Sequence, residues 1–217
     1  LDLPIDPPIV PVDSELGPVG VRVESLGVID PATKHVVEIG TFQVAPGARM
    51  AIAGKVGAAD SMLLPAIAGL HDSDHGFIEI GGLDSRDAVR FSDGNMIGYA
   101  GPREIFEGSV LENIRVARSG ITESDVRESL EMVELWDELL ALPQGLDTRL
   151  QTGGFPLCED QIPRLLLARA IVGRPRLLLI DWLLDALPDE LRRSIWNRLR
   201  EPNQPWTLLI TSHDPQI

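Results

Sequence analysis

The nine residues "GKVGAADSM" at 54–62 have the length, the opening glycine and the closing hydroxyl of a phosphate-binding loop. In such a loop the glycines let backbone N–H groups close around phosphate oxygens. A lysine reaches the outer phosphates, and a serine or threonine hydroxyl follows it. Gly54 and Gly57 keep the first property and Ser61, followed by Met62, keeps the last. Ala59 stands where a glycine would precede the lysine, and Asp60 stands where the lysine would be. Exchanging a cation for an anion about 4 Å from a phosphate changes each unit-charge interaction by about 8 kcal/mol at an effective dielectric of about 20. The stretch therefore reads as the remnant of a phosphate site. Lys55 is its one cation and the candidate for partial rescue.

The elements around the loop are those such a site requires. "ARMAIAG" is a short apolar run that feeds the loop as a buried strand at 49–53. From Ser61 the residues Met62, Leu63, Leu64, Ile67 and Leu70 recur at helical spacing, with Pro65 expected in the first turn, where proline is tolerated. Before this unit, "VRVESLGVI" and "HVVEIGTFQVAPG" alternate apolar and polar residues and predict antiparallel strands; "GFIEIGGLD" adds another strand and turn. "NMIGYAG" predicts a buried strand near 96–100. Residues 109–142 read as helical, with an N-cap at Thr122, and define a helical subdomain over about 109–150. Then come a helix in "DQIPRLLLARAIVGRP", a buried strand in "RLLLID", an amphipathic helix in "PDELRRSIWNRLRE" and a last strand in "WTLLITS" before His213. Alternating helices and continuous apolar strands imply an α/β fold with a parallel, helix-covered core sheet.

The bulk numbers narrow the function classes. The chain has 217 residues with 44% hydrophobic and 24% charged content, which suits one ordinary globular unit. Its 33 acidic and 19 basic side chains leave a net charge of -14, a field that repels phosphate backbones, so no nucleic-acid partner is expected. The one cysteine, Cys158, rules out an internal disulfide framework and fits a reducing, cytoplasmic setting. The first eighteen residues hold five prolines and four acidic residues, the composition of an extended linker. Residues 1–20 are therefore expected to lead in from a preceding part of a longer polypeptide.

The order of these pieces resembles the nucleotide-binding domain of ABC transporters, of the exporter type in which that domain follows the membrane domain in one polypeptide. The resemblance runs from about Val21 to His213, so 21–217 is read as that domain. "LARAIVGRPRLLLID" is similar to the helix and Walker B strand that follow the family signature. "IGYAGPREIFEGSVLENI" resembles the Q-loop segment, "GLDTRLQTGGFPL" the approach to the signature, and "ITSHDP" the switch-histidine strand. The resemblance implies a P-loop NTPase-like core sheet flanked by helices, with an antiparallel β subdomain and a helical subdomain. It also implies ATP and magnesium as family cofactors, with Ser61 and Asp181 as the magnesium residues. Gly54, Lys55, Gly57, Ala59, Asp60, Ser61, Met62 and Gln161 become the nucleotide residues, and His213 the candidate switch histidine.

Each catalytic motif departs from the family pattern. The position after Asp181, where the family holds the glutamate that polarises the attacking water, is Trp182, and an indole supplies no general base. The Q-loop turn reads Ala100, Gly101, Pro102 and Arg103, without its glutamine. The signature, normally Leu-Ser-Gly-Gly-Gln, reads Leu157-Cys158-Glu159-Asp160-Gln161. No ring stands near Val28 to Asp30, where the adenine would stack. Because composite sites are built head to tail between two domains, a chain with both Walker and signature defects would damage both sites of a pair. The resemblance thus implies a catalytically silent exporter module with weak or absent nucleotide binding and a structural or regulatory role, at the cytoplasmic face of a membrane. Its partners would be a membrane domain of the same polypeptide and a second nucleotide-binding domain. The alternatives are an atypical working ATPase using Lys55, Ser61, Asp181 and His213, or an interaction module unconnected with transport. Replacing Asp60 with Lys together with Ala59→Gly removes the repulsion, so ATP titration of the double variant in magnesium buffer should show at least about tenfold tighter binding than the parent.

Overall fold

The computed structural model describes residues 17–53, 58–91, 95–102, 105–118 and 120–217 and, for 53, 58–60 and 89–91, the backbone alone. Four strands, β1 (Val21–Ile29), β2 (Val36–Val44), β3 (Arg49–Ala53) and β4 (Ser73–Ile80), surround the first helix, α1 (Ala58–Ile67). A two-residue strand β5 (Leu83–Asp84) runs into α2 (Ser85–Phe91), and β6 (Ile97–Ala100) follows. The helical stretch comprises α3 (Val110–Arg115), α4 (Glu123–Met132) and α5 (Trp136–Leu140), bracketed by the paired strands β7 (Gly108–Ser109) and β8 (Arg149–Leu150). Helix α6 (Gln161–Ile171), strand β9 (Leu177–Asp181), helix α7 (Asp189–Leu199) and strand β10 (Thr207–Ser212) complete the chain.

Two larger sheets result. One is antiparallel, in the order β2-β1-β4-β5. The other has the order β3-β10-β9-β6, with each neighbouring pair parallel. The parallel sheet divides two cores by the two-residue period of its strands. Leu178, Ile180, Leu208 and Ile210 face α6 and the helical stretch, while Leu177, Leu179 and Leu209 face α1 and the antiparallel sheet. All five residues of β9 are buried, so its "LLLID" run is continuous rather than alternating. Each such leucine contributes about 1.5–3 kcal/mol over leaving it in water.

The helical stretch is held by local chemistry as well as packing. Ser109 caps α3 and Thr122 caps α4; each accepts from the third residue on, and Glu112 and Asp125 return bonds to the cap amides. Val126 and Leu130 of α4 and Leu139 of α5 then reach the core under α6. The start of α1 differs from the sequence-based expectation. It begins at Ala58 rather than Ser61, which puts Pro65 inside the helix instead of in its first turn. Proline has no N–H to donate to the fourth carbonyl back, and α1 ends two residues later. Gly69 closes it in a left-handed conformation, with Leu70 N–H donating to the Pro65 carbonyl at 2.8 Å. Helix α2, which the sequence reading did not resolve, is too short and too polar to show a periodic face.

The parallel sheet and α6 come into close contact at Gly98. A Cβ there would overlap the Ala170 carbonyl oxygen of α6 and the ring of Pro175. The carbonyl cannot yield without moving the helix. Gly98→Ala should therefore cost about 2–3 kcal/mol, measured as a lower urea midpoint at an unchanged slope.

Candidate functional site

Parallel register brings the ends of the core strands to one edge. Ala53 of β3, Ala100 of β6, Asp181 of β9 and Ser212 of β10 are the last residues of their strands. In open α/β sheets, ligand sites lie beyond such carboxyl ends. Thr211 pairs directly with Asp181, and Tyr99 pairs with Leu179, two residues earlier on the same face. The three polar side chains meet there. Tyr99 Oη donates to Asp181 Oδ2 at 2.8 Å, and Thr211 Oγ1 donates to Asp181 Oδ1 at 2.9 Å. Asp181 is only 3% exposed. Burial pushes its carboxyl above the ordinary carboxylate range, while the two hydroxyls and the field of His71 oppose that rise.

The next residue turns the chain. Trp182 adopts the left-handed conformation at φ 56°, which costs a non-glycine residue about 1–2 kcal/mol. Its backbone N–H donates to Thr211 Oγ1 at 3.0 Å, so one threonine hydroxyl serves both the carboxylate and the turn. The Trp182 indole stacks on the His213 ring with centroids 4.3 Å apart and planes 29° apart. Its buried Nε1 has no hydrogen-bond partner among the described residues. The stack thus packs the ring of residue 182 against that of residue 213 beside the ends of β9 and β10. Asp185, which sequence reasoning missed, clamps the end of β10: Oδ1 accepts from Ser212 Oγ at 2.6 Å and Oδ2 from the His213 amide at 2.8 Å. It lies on a one-turn 3-10 helix at Leu183–Ala186, which has no sequence periodicity to announce it. Beside it an open groove of about 560 Å³ is lined by Asp189, Arg192, Arg193, His213 and Asp214, with Arg192 bonded to both Asp189 and Asp214.

The other candidate residues fall in three places. Gly54, Lys55, Gly57 and Arg103 lie outside the described residues, and Ala59 and Asp60 are described as α1 backbone only. Ser61 and Met62 are half-buried in α1. Asp30, near the expected adenine position, serves its own turn by accepting from Ala32 N–H and Thr33 Oγ1.

The signature residues form a separate cluster at the start of α6. Gln161 Oε1 accepts from the Cys158 amide at 2.9 Å, and Gln161 Nε2 donates to Glu138 Oε2 at 2.8 Å. Arg164, 1% exposed, donates to both oxygens of Glu138 at 2.8 and 2.9 Å and to Asp160 Oδ2 at 2.5 Å. Its remaining donors reach the Asp160 and Glu134 carbonyls. Asp160 is thereby turned back into its own chain, whereas Glu159 is exposed. Of the two carboxylates in the signature segment, Asp160 is ion-paired within the chain.

The fit of magnesium to these residues rests on Asp181 and Ser61. Both Asp181 oxygens accept protein hydroxyls, and the residue is buried. The residues described do not fit a magnesium site centred on Asp181.

An α/β unit with a parallel sheet, an antiparallel sheet and covering helices defines the nucleotide-binding fold class, and comparison with known proteins agrees. The ABC transporter family matches residues 38–182. The chain is 28% identical over 208 residues to ABC transporter 1 of Ajellomyces capsulatus, covering 93% of this chain and 16% of that one. It is 29% identical over 173 residues to the ABC transporter ATP-binding protein YwjA of Bacillus subtilis, 79% of this chain and 30% of the relative. An ATP-dependent lipid A-core flippase of Thiobacillus denitrificans is 27% identical over 175 residues, 80% and 30% of the two chains. A bacterial Atm1-family ABC exporter solved with ATP bound superposes with a TM-score of 0.79 at 25% identity, over 92% of this chain and 36% of that one. The chain belongs to the ABC transporter family. It spans less than a third of the length of these curated relatives.

The Arg164 cluster generates a pH dependence. The Arg164 guanidinium holds Glu138 below its ordinary value of 4.5, against the opposing effect of burial. A depressed carboxyl contributes stability above its unfolded value and loses it as pH falls through its folded value. Glu138 is partly exposed, so Glu138→Gln should cost only about 1–2 kcal/mol near pH 7. That deficit should close as the pH drops well below 4.5, which urea denaturation at neutral and acid pH would measure.

Proposed function

We propose that this chain is the nucleotide-binding portion of an ABC exporter in which the cassette is catalytically silent and acts as a structural or regulatory module. The observation that carries this reading is the Trp182–His213 stack: the family places a water-polarising glutamate at 182, and here an indole packs on the neighbouring imidazole. General-base chemistry needs an acceptor within hydrogen-bond reach of the attacking water. Trp182 has only an N–H to offer. Asp60 in place of the phosphate-loop lysine supports weak or absent binding of ATP and magnesium, the family's cofactors.

The exporter relatives support the rest of the reading. The flippase and the Atm1-family exporter are named for transport, and this chain covers only part of each. We assign a membrane domain of the same polypeptide, reached through residues 1–20, and a position at the cytoplasmic face of the membrane. No helix among the described residues is long and apolar enough to cross one. A second nucleotide-binding domain would complete the assembly, and the net charge of -14 argues against a nucleic-acid partner.

Hydrolysis assays test the silence. The parent chain and the Asp60→Lys, Ala59→Gly variant should both stay at the level of the enzyme-free control, although the variant binds ATP. Turnover of roughly 1 s⁻¹ or faster by either would overturn the reading and favour a working ATPase built on Lys55, Ser61, Asp181 and His213.

A further inference from the structure

Asp181 would be expected, on the nucleotide-site reading from which this inference starts, to present an open carboxylate to a hydrated magnesium ion. Three observations run against that. Its two oxygens each accept a hydroxyl hydrogen, from Tyr99 of β6 and Thr211 of β10. Only 3% of the residue is exposed, which leaves no open approach for an ion that keeps several waters. The third observation is steric. A Cβ at Gly101 would overlap the Tyr99 phenol oxygen, and Gly101 is not among the glycines with positive φ. The absence of a side chain at 101 therefore serves the phenol, which occupies that space to reach Asp181.

We propose that Asp181 is a structural tie, joined through the Tyr99 and Thr211 hydroxyls to the strands on either side of β9, and closed to magnesium by those same hydroxyls. Tyr99 is a positioning residue in this arrangement, and Gly101 is the residue that admits it. Thr211 extends the tie to the Trp182 amide and so also fixes the left-handed turn that carries the indole. The carboxylate keeps the family's position but takes its hydrogen-bond partners from the chain itself.

The test uses metal alone and needs no nucleotide. Melting the 217-residue chain in EDTA and in millimolar magnesium should give the same Tm, and manganese titrated by electron paramagnetic resonance should show no site tighter than millimolar. Tyr99→Phe should lower Tm by about 3–10 °C in EDTA, the loss of a hydrogen bond to a carboxylate. In Asp181→Asn the same Tyr99→Phe change should cost clearly less, because the charged acceptor is already gone. A one-to-one manganese site of micromolar affinity that disappears in Asp181→Asn would overturn the proposal. So would a Tyr99→Phe chain with unchanged Tm, and this variant keeps the ring and its packing, so the measurement does not depend on Asp181→Asn folding. Manganese binding would leave the hydrolysis result standing, and ATP turnover would leave the melting cycle standing, so the two readings fail separately.

Discussion

The parallel pairing of β9 with β6 on one side and β10 on the other is the constraint on which the rest depends. It fixes Tyr99, Asp181 and Thr211 within hydrogen-bond reach from three separate parts of the sequence. It also sets the alternation that sends Leu178 and Ile180 to one core and Leu177 and Leu179 to the other. A one-residue slip of β9 would exchange those faces and carry Asp181 away from both hydroxyls. Packing and the polar edge are therefore specified by the same register.

Several polar groups at that edge and at the start of α6 are satisfied from within, although Trp182 Nε1 finds no partner among the described residues. Asp181 takes two hydroxyls, Asp160 takes Arg164, Gln161 takes Cys158 and Glu138, and Asp185 takes Ser212 and the His213 amide. A buried or half-buried polar group left without a partner costs about 1–3 kcal/mol, so such pairings stabilise the chain whether or not a ligand is ever bound. The fold draws on the leucine-rich strands, and the edge residues draw on one another.

The sequence made the strands legible because β9 and β10 are buried on both faces and read as continuous apolar runs. The cap of α4 was legible from Thr122 and the acid three residues on. The family was readable from the order of several weak motifs, which the match over residues 38–182 bears out. The Asp160–Arg164 contact follows helical spacing and was in principle accessible, but Glu138 comes from another helix and carries no such mark. Tyr99 was hidden for the same reason: it lies 82 residues from Asp181 in the chain, and in sequence it is one aromatic in a strand. The start of α1 was misplaced because Pro65 suggested a first turn, whereas the helix tolerates it near its end.

Gly101 gives the edge a direction in sequence change. While Tyr99 is held against Asp181, any side chain introduced at 101 meets the phenol. The opposite order removes that overlap: once Tyr99 is replaced by a smaller residue, the phenol atoms nearest a Cβ at 101 are gone. Two single steps that end at the same pair of residues thus differ in cost according to which comes first. As long as this tyrosine is present, a side chain at 101 carries the cost of displacing it, and the two positions are coupled.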